Sequence, residues 1–80
     1  MPVPLYGFLE GDTIGLLILA EESETMDSLA ERLQEAASLR VAPSSSVSVV
    51  YGESSLAPTM TVAQAGMKPL ERFDVVRCAR

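Results

Sequence analysis

The sequence predicts an α+β domain in which one amphipathic helix lies on a mixed sheet of four to five strands. Three observations carry that expectation. Residues 25–43 (TMDSLAERLQEAASLRVAP) hold the one long helical period of the chain, two short apolar runs precede them, and alternating β-branched runs follow. With 80 residues the chain reads as a single domain, 1–80. At that size folding hides roughly 60% of the unfolded chain's surface, so the core is thin.

The elements follow in order. Residues 3–10 (VPLYGFLE) and 13–20 (TIGLLILA) are apolar runs separated by Gly11 and Asp12, which predicts a β-hairpin with a two-residue turn. Glu21, Glu22, Ser23 and Glu24 form a polar link into the helix. Met26, Leu29, Ala30, Leu33, Ala36 and Ala37 recur at three- and four-residue steps and share one side, opposite Asp27, Glu31, Arg32, Glu35 and Ser38. Thr25 suits the N-cap and Asp27 the positive end of the helix dipole. Arg40 suits the negative end, and Pro43 prevents continuation.

Beyond the serines at 44–46, residues 47–51 (VSVVY) predict a third strand, with Val47, Val49 and Tyr51 on one face and Ser48 and Val50 on the other. Residues 52–58 predict a turn holding a brief extended piece around Leu56. In residues 61–66 (TVAQAG), Thr61 and Gln64 have capping-box spacing and Gly66 suits the left-handed residue that ends a helix, so a single helical turn is expected. Residues 73–78 (FDVVRC) alternate once more, with Phe73, Val75 and Arg77 opposite Asp74, Val76 and Cys78. With the first and last strands adjacent at the centre, this order is the β-grasp, or ubiquitin-like, arrangement.

Composition narrows the function. Eleven acidic against six basic residues give a net charge of −5, and Lys and Arg form no run, so neither nucleic acid nor an anionic membrane is an expected partner. No stretch approaches the ~20 apolar residues of a membrane span, and the start lacks the pattern of a signal peptide. A soluble, cytoplasmic protein is expected. The chain has no histidine, which removes imidazole bases and His-based metal motifs. Glu31 and Glu35 lie one helical turn apart, but without a third ligand nearby they read as a solvated face. The acidic group Glu21, Glu22, Glu24 and Asp27 reads either as a dipole-favoured loop or as an attraction for a basic partner. Cys78, the single cysteine, reads as a packing residue or a redox thiol; it cannot form an internal disulfide. The glycines are too scattered for a phosphate loop, and catalysis by this chain alone is not expected.

One pattern asks for more than a fold. A sheet with a helix over one face should alternate apolar inward and polar outward. Here Ile14, Leu16 and Ile18 share one face while Leu17 and Leu19 occupy the other, and Leu5 and Leu9 lie opposite Tyr6 and Phe8. Either loops cover the second face, or that face docks on another protein; Tyr6, Phe8, Leu17 and Leu19 are the candidate docking residues.

Several segments carry a family resemblance. They are Met26-Asp27, Ala30-Glu31-Arg32, Arg40-Val41-Ala42-Pro43, the run Met60-Thr61-Val62-Ala63-Gln64-Ala65-Gly66-Met67-Lys68-Pro69, and Asp74-Val75-Val76. In these the chain resembles, nearly end to end, the small gamma (TmoB-like) subunit of the hydroxylase of toluene and related alkene-type multicomponent diiron monooxygenases. The resemblance implies a ubiquitin-like, noncatalytic subunit without cofactor or metal of its own. Its partners would be the large (alpha) subunit, which holds the diiron centre, and the beta subunit, in a paired assembly of alpha, beta and gamma chains. A Rieske ferredoxin, a flavin reductase and an effector protein would serve that assembly, which oxidises aromatic or alkene hydrocarbons with O2. The family's basic third strand is not matched, since residues 47–53 hold no Lys or Arg, and electrostatic docking through that strand is not expected. The alternative is a free ubiquitin-like carrier or interaction module. Carriers of that kind end in Gly-Gly, whereas this sequence ends Cys78-Ala79-Arg80.

Overall fold

A computed structural model describes residues 2–42 and 46–77. Its elements are β1 (Val3–Leu9), β2 (Leu16–Ala20), α1 (Met26–Ala36), β3 (Val47–Tyr51), β4 (Ser54–Leu56), α2 (Val62–Ala65) and β5 (Arg72–Arg77). They form one five-stranded sheet in the order β2-β1-β5-β3-β4, with α1 packed on one face. Among the described residues only the central pair, β1 and β5, is parallel; the other neighbours run antiparallel. This is the expected β-grasp order, and the brief extended piece around Leu56 is the edge strand β4.

The core lies between α1 and the sheet. Met26, Leu29, Ala30, Leu33 and Ala37 meet Val3, Leu5 and Leu9 of β1, Ile18 and Ala20 of β2, Val49 of β3, and Phe73 and Val75 of β5. Close approach of helix and sheet depends on Gly7. A Cβ there would stand 2.8 Å from Cζ of Phe73 and 3.1 Å from both methyls of Leu33. The helix ridge and the aromatic ring therefore meet over a strand position that has no side chain.

Three expectations change. Ala36 is exposed and Gln34 is buried, although both stand equally far round the helix from the centre of the buried arc, so helical period alone does not rank them. The helix closes earlier than Pro43, with Ala37 as C-cap. Arg40 lies beyond it, and its guanidinium pairs with Asp12 instead of the helix end. The hairpin has no two-residue turn, since β2 begins only at Leu16 and leaves Ile14 exposed outside the strand. Asp12 shapes that longer loop: its N–H donates to Leu9 O at 2.9 Å and its Oδ1 accepts from Ile14 N at 3.3 Å.

The two helix starts cap each other. Thr25 Oγ1 accepts from Ser28 N at 3.2 Å, and Thr61 with Gln64 forms the expected capping box, closed by Gly66 at φ 75°. The remaining first-turn donors cross over. Met26 and Asp27 N–H donate to the carbonyls of Met60 and Pro58, while Val62 and Ala63 N–H donate to those of Glu24 and Glu22. Thr25 and Thr61 form a β-bridge at the centre of this exchange. Donors that a helix N-terminus normally leaves to water are thus met by the backbone leading into the other helix.

Candidate functional site

Strand register builds the open face of the sheet. Antiparallel pairing sets Tyr6 beside Leu17 and Pro4 beside Leu19; parallel pairing sets Arg72 beside Tyr6 and Asp74 beside Phe8. Val76 and Ser48, then Asp74 and Val50, continue the same face into β3. Because side chains alternate along each strand, all of these point away from α1.

Loops do not cover the β1–β2 half of that face. Leu17 and Leu19 are each 57% exposed and Tyr6 is 43% exposed, so three of the four candidate docking residues present apolar surface to solvent. Phe8 differs. It is half-buried, with its ring over Gly15, where a Cβ would stand 2.5 Å from Cζ, and with the Arg72 guanidinium 4.1 Å from its centroid. The structure therefore brings Tyr6, Leu17 and Leu19 together as a patch and uses Phe8 to close its flank.

Arg72 and Asp74 supply the charge on this face, and they neutralise each other. Arg72 Nε lies 2.8 Å from Asp74 Oδ1 and Nη2 lies 3.1 Å from Oδ2. The hydrogen bond to Asp74 raises the Arg72 pKa further above its usual value. Two features of the face escaped sequence reasoning. Arg72 stands just outside the alternating run read as the last strand, and exposed Leu70 lies beside the patch through its N–H bond to Pro4 O at 2.6 Å. Leu70 has φ 67°, a left-handed conformation rare for a bulky residue, and nothing in its sequence neighbourhood signals that.

The other candidates scatter. Glu31 and Glu35 are exposed on the outer face of α1, and no group of three metal-ligating side chains comes together among the described residues. Of the acidic group, Glu21, Glu22 and Asp27 are exposed, whereas Glu24 turns inward to Arg32 and Ser28. Cys78, Pro43, Ser44 and Ser45 lie outside the described residues. A cavity between α1 and β3, lined by Met26, Ala30, Val47 and Val49 among others, holds about 30 Å³. Small-molecule sites need roughly ten times that. A broader groove of about 300 Å³ along Phe8, Glu10, Arg72 and Asp74 opens beside the patch. No helix of the described residues is long and apolar enough to cross a membrane.

Comparison with known proteins adds three likenesses. The chain matches a chain of the toluene 4-monooxygenase HD complex with the inhibitor 4-bromobenzoate at 28% identity and TM-score 0.88, covering 98% of this chain and 100% of that one. It matches a ubiquitin of Caldiarchaeum subterraneum at 12% identity and TM-score 0.82, covering 100% of this chain and 98% of that one. The ubiquitin-like domain of Plasmodium falciparum Dsk2 matches at 14% identity and TM-score 0.80, over 98% of this chain and 100% of that one. The last two show the fold alone. No curated protein matches. The family model described as toluene-4-monooxygenase system protein B matches residues 2–76, and the chain belongs to this TmoB family.

Proposed function

We propose that this chain is the small, noncatalytic gamma subunit of a bacterial multicomponent diiron monooxygenase hydroxylase that oxidises aromatic or alkene hydrocarbons with O2. It docks on the large diiron subunit and stabilises it, within a cytoplasmic assembly of paired alpha, beta and gamma chains. The Rieske ferredoxin, flavin reductase and effector protein act on that assembly. The observation that carries the reading is the family match over nearly the whole chain. The exposed Tyr6, Leu17 and Leu19 support it, because an apolar patch on an open sheet face is the surface an obligate partner covers. The chain's own donor set supports placing the metal in the partner: it has no histidine, and its described acidic side chains do not gather into a ligand group.

The test is to purify the tagged chain from its native cells at low salt, weigh the co-purifying chains and assay their iron. Equal amounts of a large iron-bearing chain and a second iron-free chain are expected. Recovery of an adenylating enzyme, or of the tagged chain alone, would overturn the reading in favour of a carrier or a free module. The docking face is tested separately: a Leu17→Glu, Leu19→Glu double variant should lose the large chain while the wild type retains it.

A further inference from the structure

We propose that Arg32, held in place by Glu24, closes the outer edge of β2 against strand pairing with a second copy of this chain. β2 is an edge strand, so among the described residues one side of its backbone has no neighbour in the sheet. Which groups lie there follows from β1. Tyr6 N–H donates to Glu71 O at 2.9 Å and Pro4 O accepts from Leu70 N–H, so both residues turn their main-chain groups toward β5. Their antiparallel partners, Leu17 and Leu19, consequently turn N–H and C=O off the outer edge. Such a row of outward donors and acceptors is a template for another strand.

Arg32 stands in front of that template. Its Nη2 donates to Leu19 O at 2.9 Å, thirteen residues away in sequence, while Nη1 lies 2.7 Å from Glu24 Oε1. Glu24 is fixed in turn by its Oε2, which accepts from Ser28 Oγ at 2.8 Å. A strand arriving at β2 would have to displace the guanidinium from Leu19 O and cover an ion pair whose arginine is now 43% exposed to water. The occupant so excluded is a second copy. Two β2 strands paired about a twofold axis would join the exposed Leu17 and Leu19 of both chains into one apolar surface, and the segment LLILA has the apolar, uncharged composition that favours such pairing. The inference does not depend on the proposed function.

The full chain is compared with its Arg32→Ala and Glu24→Gln variants by sedimentation over rising concentration, with amide hydrogen exchange read at Leu17 and Leu19. Arg32→Ala is expected to self-associate at concentrations at least tenfold below the wild type. In its associated form the Leu17 and Leu19 amides should exchange at least tenfold more slowly. Glu24→Gln should move both readouts the same way by less, and it decides the matter should the alanine variant unfold. Variants that associate no more than the wild type, or that associate without protecting those two amides, would overturn the proposal.

Discussion

Arg40 grips both carboxylate oxygens of Asp12 across 28 residues of sequence, with Nε at 3.1 and 3.2 Å and Nη2 at 2.9 Å. This pair ties the hairpin loop to the turn after α1, and the Asp12 side chain is only 3% exposed beneath it. The Arg40 hydrogen bond holds the Asp12 carboxyl below its ordinary value of 3.8, with the Ile14 N–H adding to the effect. A carboxyl whose folded pKa is lowered contributes stability above its unfolded pKa and loses it as pH falls through the folded value. Acid unfolding followed by circular dichroism should therefore show Arg40→Ala less sensitive than the wild type to pH below 3.8, with lower stability above it. Parallel curves for the two proteins would contradict this.

Gly7→Ala should destabilise the chain by about 1–3 kcal/mol, because the added methyl meets the Phe73 ring and Leu33 with nowhere to go. Urea unfolding measures it. A loss below about 0.5 kcal/mol would mean that helix and sheet separate more freely than their packing indicates.

Leu17→Glu and Leu19→Glu should separate docking from folding. Both side chains are mostly in water, so each substitution should change the stability of the isolated chain by no more than about 0.5 kcal/mol. Leu33→Ala, in the fully buried ridge, should cost about 2–5 kcal/mol. If the glutamate variants unfold the isolated chain as Leu33→Ala does, the open face belongs to the core and not to an interface.

Thr61→Ala removes one half of the capping box around α2 and should cost about 1 kcal/mol. Thermal unfolding of Thr61→Ala beside Thr61→Ser gives the check, since serine retains the accepting hydroxyl. Equal losses in both variants would move the cause from the hydroxyl to the γ-methyl.

What could be read in the sequence was local. Thr61, Gln64 and Gly66 announce α2 within six residues, and Met26, Leu29 and Leu33 announce the face α1 buries, because each signal depends on neighbours one helical turn away. The alternation of Tyr6 and Phe8 against Leu5 and Leu9 likewise gave both faces of β1. What escaped depends on residues distant in sequence. Arg40 resembled a helix-end cation until the hairpin loop brought Asp12 to it, and Arg32 resembled a solvated residue until the edge of β2 brought Leu19 O. The loop itself misled because Gly11-Asp12 carries a turn signature, whereas Asp12 turns the chain back through Leu9 O and Ile14 N and is held by Arg40, a partner 28 residues away.

The crossed hydrogen bonds between the starts of α1 and α2 bear on how this small chain opens. Neither helix start is complete in a fragment that lacks the other, since Met26 N–H ends on Met60 O and Val62 N–H on Glu24 O. Fraying at either site exposes donors at both. The two segments therefore belong to one cooperative unit spanning most of the sequence, and their amides should be lost to solvent together instead of in separate stages. Closing that unit brings together segments more than thirty residues apart in sequence, so these bonds carry a loop-closure cost that bonds within a single helix do not.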